Sequence, residues 1–182
     1  HADNPDAATV KAKDLVRMAA AKAFLASPLQ ETDLPVDRGA LVVGGGIAGM
    51  TAALALSRQG YPVHLVDRDK ALGGQARRLN TAFQGEPVGA SLEEKIRQVQ
   101  ADERIHVHLE TTVAGVEGFV GNFETTLHAK DGSTTVRHGV ALLATGAEEY
   151  RPSEYLYRQH PAVVTQLEMD ALLRQDDVHI DQ

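Results

Sequence analysis

Gly44, Gly46 and Gly49 follow the apolar run Ala40-Leu41-Val42-Val43 at G-x-G-x-x-G spacing and open directly onto a helix-forming segment. A continuous apolar run of this length fits a strand buried on both faces, as in a parallel sheet. Gly44 permits a tight turn, Gly46 lets the backbone approach a diphosphate, and Gly49 lets helix and strand pack closely. A helix is predicted over residues 47–58, closed by Gly60. Its N-terminus offers unpaired N–H groups and a partial positive charge, which suits phosphate. A second strand is predicted at 63–66, and Asp67 ends it, roughly 20 residues past the turn, where a carboxylate binds an adenosine ribose. Strand, spacing, helix and acid occur together, so residues 40–67 read as a βαβ grip on the ADP half of a dinucleotide. The bland alternative is a glycine-rich turn that only packs tightly.

The same unit serves FAD and nicotinamide dinucleotides. Here Asp67 is followed by Arg68-Asp69-Lys70-Ala71-Leu72-Gly73-Gly74-Gln75. The second glycine pair lets another backbone segment approach the cofactor from the far side, which a simple nicotinamide fold does not need. A β-rich insertion before Ala144-Thr145-Gly146 also favours FAD over NAD(P). Asp67 opposes a 2′-phosphorylated cofactor, whose charge it would repel.

The remaining elements follow from local pattern. Asn4-Pro5 caps a helix over about 7–26, with Leu15, Met18 and Leu25 as its apolar stripe, expected to pack on the domain or on a partner. Ser27-Pro28 ends it, and residues 29–38 read as an extended linker. Ser91 and Glu94 form a capping-box pattern that predicts a helix starting at 91. A strand is predicted at 104–110, and three more at 113–117, 122–128 and 134–138. Gly118 and Gly121 mark one turn and Asp131-Gly132 a hairpin. Residues 140–144 read as another buried apolar strand, and Thr165 with Glu168 frames a last helix through 173. The domain division is thus a helical arm and linker at 1–38 and a dinucleotide-binding domain at 39–182.

Composition narrows the functional classes. The 182 residues carry a net charge of −7, which gives no general affinity for nucleic acid. No apolar run reaches the roughly 20 residues of a membrane span. Cysteine is absent, so this chain makes no disulfide and offers no thiolate to an iron–sulfur cluster. That is compatible with the cytoplasm.

Gly44-Gly45-Gly46-Ile47-Ala48-Gly49-Met50-Thr51-Ala52-Ala53 resembles the FAD domain of the heterodisulfide reductase flavoprotein, the A subunit of that enzyme. The resemblance continues through Leu72-Gly73-Gly74, Val120-Gly121-Asn122-Phe123, Leu142-Leu143-Ala144-Thr145-Gly146-Ala147, Tyr155-Leu156-Tyr157 and Val164-Thr165-Gln166-Leu167-Glu168. It also takes in the leading stretch Lys11 to Ala19. It implies a cytoplasmic flavoprotein subunit passing electrons between FAD and iron–sulfur centres. Those clusters would lie in partner subunits or in other parts of a longer protein, since the family's domain continues past this segment. It further implies that Gly44, Gly46, Ala48, Gly49, Asp67, Arg68, Gly73, Gly74, Gln75, Val113, Ala144, Thr145 and Gly146 line the ADP part of FAD, Val113 through its backbone at the adenine.

The fold class is therefore α/β: a Rossmann-like FAD/NAD(P)-binding domain with a parallel sheet, a small antiparallel β insertion and an N-terminal helical arm. The alternatives are an NAD(P)-binding module of a dehydrogenase-type enzyme and a cofactor-free scaffold or docking fragment. His106 and His108 share one face of a strand but lack further ligands at sensible spacing, so a polar pair is expected rather than a metal site. His64 reads as a packing residue. Arg77-Arg78 suits a phosphate, a partner's acids or plain solvent. No residue is assigned as catalytic.

Overall fold

A parallel sheet in the order β3-β2-β1-β7 organises the computed structural model, which describes residues 4–28, 31, 33–82 and 84–174. Its strands are β1 (Ala40–Val43), β2 (Val63–Val66), β3 (Ile105–His108) and β7 (Val140–Leu143). Helix α2 (Ile47–Arg58) connects β1 to β2, and α3 (Val88–Ala101) leads into β3. Strands β4 (Thr111–Phe119), β5 (Asn122–Ala129) and β6 (Gly132–His138) form a separate antiparallel sheet inserted before β7. Helix α4 (Gln166–Arg174) comes last. The chain divides into two compact units, His1–Leu34 and Pro35–Gln182.

The first unit contains α1 (Pro5–Leu25). Asn4 Oδ1 accepts from Ala7 N at 3.1 Å, and Pro5 occupies the first turn, where its missing N–H costs nothing. The helix buries no residue.

In the second unit, alternation along the strands sends side chains to two faces. Ala40, Val42, Val63, Leu65 and Ile105 join Met50, Ala53 and Leu54 of α2 and Leu92 and Val99 of α3 in the main core. Leu41 and Val66 point the other way, packing with Leu127 of β5 and Val136 of β6. The insertion therefore covers the sheet face opposite the helices. The chain changes sheets at Glu110, whose φ of 50° makes the corner, with its N–H bonded to Asp69 O at 3.0 Å.

Three local expectations are corrected. Helix α3 starts at Val88 and not at 91: Ser91 Oγ donates back to Val88 O at 3.0 Å, and Glu94 holds Arg97 and Gln98 instead of capping. Pro87, with Thr81 paired to it and Val88 N on Asn80 O, delivers the chain already turned, and Val88 packs on the core, so the helix begins earlier. Gly118 lies inside β4 with φ 95°, and the turn itself is at Val120-Gly121. Strand β7 is not buried. Among the described residues it pairs only with β1, and Leu143 is 79% exposed. Of its side chains, Leu142 packs against the helix-side core.

Candidate dinucleotide site

The turn after β1 is fixed almost entirely by backbone. Gly44 N donates to Val66 O at 2.8 Å, Ala144 N to Val43 O at 2.8 Å, and Gly73 N to Gly45 O at 2.8 Å. A side chain at Gly44 would put its Cβ 2.2 Å from Ala144 O, and one at Gly49 would put it 1.7 Å from Gly44 O. Both are below any real contact with backbone, so these two glycines are demanded by packing. Gly45 is equally crowded, its Cβ position lying 2.5 Å from Leu72 and 2.8 Å from Asp67 Oδ2.

Gly46 differs from its neighbours. A Cβ there meets nothing within 4 Å, and Gly46 caps the N-terminus of α2, where its carbonyl accepts from Met50 N. The N–H groups of the first helical turn have no intrahelical acceptor. Gly46 itself lines a cavity of about 580 Å³, a size suited to a small-molecule site. Gly46 thus keeps clear the space a diphosphate needs at the helix mouth, and the residues present fit such a group.

The cavity brings together Gly44, Gly46, Asp67, Arg68, Gly74, Gln75, Val113, Ala144, Thr145 and Gly146 of the sequence-predicted set. Three others do not line it. Ala48 is exposed on the first turn of α2, Gly49 is buried between helix and strand, and Gly73 is buried against Arg77. Gly73, at φ 118°, starts the 3-10 turn Gly74–Arg78, and Gly74 packs over Gly46 with a Cβ position 3.3 Å from its Cα. Val113 sits at the β-bulge in β4, where the register slips between Val113 and Gly115. Bulges of this kind re-aim backbone beside sites.

Asp67 uses both carboxylate oxygens on its own scaffold. Oδ2 accepts from Gly45 N at 2.5 Å and Oδ1 from Asp69 N at 2.8 Å. A carboxylate has about four acceptor positions, so capacity remains on the cavity side. Asp67 therefore clamps the glycine loop as well as facing the cavity. Its own backbone ties the end of β3 to the start of β4, its N–H donating to His108 O at 2.8 Å and its C=O accepting from Thr111 N at 3.0 Å.

Sequence reasoning missed Thr111, Thr112, Asp69, Ala147 and Glu148 in the lining. Arg68 donates to Glu148 at 2.6 Å, an ion pair that raises the guanidinium's pKa through that hydrogen bond, and Gln75 Nε2 donates to Ala147 O at 3.1 Å. Glu149 accepts from Thr165 Oγ1 at 2.5 Å and from Arg78 at 3.1 Å, and the threonine bond, with the arginine behind it, holds its carboxyl below the usual range. Thr165 also caps α4: its N–H donates to Glu168 Oε2 and its hydroxyl accepts from Glu168 N. That capping box matches the expectation for the last helix.

The histidines lie on the sheet face opposite α2 and α3. His64 Nδ1 is 3.0 Å from His108 Nε2, and the His106 ring is 5.3 Å from that of His64. Burial, reinforced by His108 and His106, pushes the His64 imidazole down to about 4; burial also lowers His108. Among the described residues no group of three or more His, Asp or Glu could hold a metal ion. His138 is fully buried, with Nδ1 at 3.1 Å from Val140 O and Nε2 at 2.7 Å from Thr125 Oγ1. A carbonyl only accepts, so Nδ1 carries the proton and Nε2 takes the threonine hydroxyl. Burial lowers this imidazole too.

Among the described residues no helix is long and apolar enough to cross a membrane. Comparison with known proteins agrees with the geometry. A family model described as an NAD(P)-binding Rossmann-like domain matches residues 42–96. The A subunit of the H(2):CoB-CoM heterodisulfide,ferredoxin reductase of Methanothermobacter marburgensis is 39% identical over 131 residues, covering 71% of this chain and 20% of that protein. The A subunit of the ferredoxin:CoB-CoM heterodisulfide reductase of Methanosarcina mazei is 38% identical over 124 residues, covering 68% of this chain and 16% of that protein. Among solved structures, L-proline dehydrogenase from P. horikoshii aligns with TM-score 0.53 and 26% identity, over 65% of this chain and 25% of that one. The chain spans a fifth or less of the length of these curated relatives. It is a relative of the heterodisulfide reductase A subunits and carries part of a Rossmann-like dinucleotide-binding domain.

Proposed function

We propose that the chain forms the ADP-binding portion of the FAD domain in an oxidoreductase subunit similar to the heterodisulfide reductase flavoprotein. The observation that carries this reading is the open space at Gly46, set between glycines that packing alone demands. The α2 mouth and Gly46 would hold the diphosphate, Asp67 the adenosine ribose, and the Val113 backbone the adenine. Thr145, Gly146 and Gln75 would close the remaining wall. FAD, when bound, supplies the electron and hydride chemistry, and the protein supplies position and electrostatics. Electrons would pass to iron–sulfur centres outside this cysteine-free chain, in other members of a cytoplasmic complex.

Flavin fluorescence titration of the 182-residue chain tests the reading. FAD should bind the parent protein and fail to bind Gly46→Val, while both unfold at the same denaturant concentration. Equal binding by both would overturn it. A second reading draws on the NAD(P)-binding description of the matching family. Binding of NADH with no response to FAD would favour that one.

A further inference from the structure

The adjacent Arg77 and Arg78 part company in the fold. Arg77 turns back, donating to Leu72 O at 2.6 Å with its stem against Gly73. Arg78 lines the cavity, where its guanidinium reaches Gln75 Oε1 at 3.3 Å and Glu149 Oε2 at 3.1 Å. The other ionisable groups of the lining are Asp67, Asp69, Glu148 and Arg68. Three carboxylates against two guanidiniums leave a diphosphate in surroundings of its own sign unless a cation stands beside it. Arg68 is placed at the Asp67 end of the cavity and is engaged by Glu148 at 2.6 Å. Arg78 closes the short turn that begins at Gly74, and Gly74 rests on Gly46.

We propose that Arg78 is the residue that recognises the diphosphate, exchanging its bond to Glu149 for charge-assisted bonds to phosphate oxygens over Gly46. Glu149 is the resting acceptor. Thr165 Oγ1 holds it at 2.5 Å and Arg151 Nε lies 3.9 Å away, so it stays in place when Arg78 turns. The proposal rests on the reading of the cavity as a dinucleotide site, and it adds a specificity device: selection for a phosphorylated nucleoside over the bare nucleoside.

Ligand-observed NMR with ADP and adenosine, applied to the full chain, tests it. Arg78→Gln should weaken ADP binding about tenfold and leave adenosine unchanged, since a charge-assisted bond is lost and the nucleoside contacts are not. Glu149→Gln should bind ADP at least as well as the parent, because the arginine is freed. The proposal is overturned by unchanged ADP affinity in Arg78→Gln. It is equally overturned by parallel loss of ADP and adenosine there, or by Glu149→Gln reproducing the ADP loss, either of which would make Arg78 a structural tie to the Thr165 segment. A parent chain that binds neither ADP nor FAD would instead sink the dinucleotide reading itself.

Discussion

The two faces of the parallel sheet are built on different principles. Toward α2 and α3 the strands present Ala40, Val42, Val63, Leu65 and Ile105, and the packing is apolar. Toward the insertion the same strands present Leu41 and Val66 beside His64, His106 and His108, with a smaller apolar cluster. The helix face fixes where the α2 mouth sits, by burial and by glycine contacts that admit no side chain. On the opposite face burial lowers the imidazoles of His64 and His108, so it is the face on which proton concentration acts.

The largest effect should come from breaking the helix face at its tightest point. Gly49→Ala places a methyl 1.7 Å from the Gly44 backbone O, which cannot swing aside as a side chain would, so urea unfolding should show a loss of roughly 3–5 kcal/mol or no folding at all. A loss under about 1 kcal/mol would show that strand and helix separate easily. Leu65→Ala, fully buried on the same face, should cost about 3 kcal/mol. Val136→Ala in the smaller cluster should cost about 1.5 kcal/mol by its lost methyl groups. If the two costs are reversed, the ranking of the faces is wrong.

Acid should act on the histidine face first. His64, His108 and His138 have folded-state pKa values below the ordinary 6.5, so the unfolded chain binds more protons than the folded one as pH falls. Their neutral-state stability is complete above 6.5 and is lost as pH falls toward about 4, the value of His64. Glu149 and Glu168, held low by hydrogen bonds to Thr165, contribute in the opposite range, losing their share only below the ordinary carboxylate value of 4.5. Denaturation between pH 6.5 and 4.5 should therefore show falling stability, and His64→Gln should flatten that slope. A parent slope of zero would remove the histidines from the account. The smallest effect is expected at α4, where Thr165→Ala removes the cap hydroxyl and should cost about 1 kcal/mol; unchanged amide exchange in residues 166–169 would contradict it.

What the sequence disclosed depended on how local the determinant was. Strands β1 and β2 and helix α2 have the bounds their patterns imply, because apolar runs and glycines act within a few residues. Asn4 and Thr165 were legible for the same reason. The start of α3 was hidden because Ser91 and Glu94 satisfy a capping pattern and also fit a helix interior, and only the pairing of Thr81 with Pro87 decides between them. The exposure of β7 was hidden because apolar content does not say whether a strand is central or at an edge. In the cavity, the glycine motif and Asp67 stand in one short stretch, whereas Glu148 meets Arg68 across 80 residues and carries no motif. The separate duties of Gly46 and Gly49 were assigned from spacing; the structure shows Gly49 pressed on Gly44 O and open space at Gly46.

A crystal structure of the chain with FAD tests the central claim most directly. The diphosphate should lie over Gly46, with its oxygens within hydrogen-bonding distance of the first N–H groups of α2 and the adenosine running toward Asp67 and Val113. Phosphates bound elsewhere, with the α2 mouth closed by side chains or filled only by water, would contradict it.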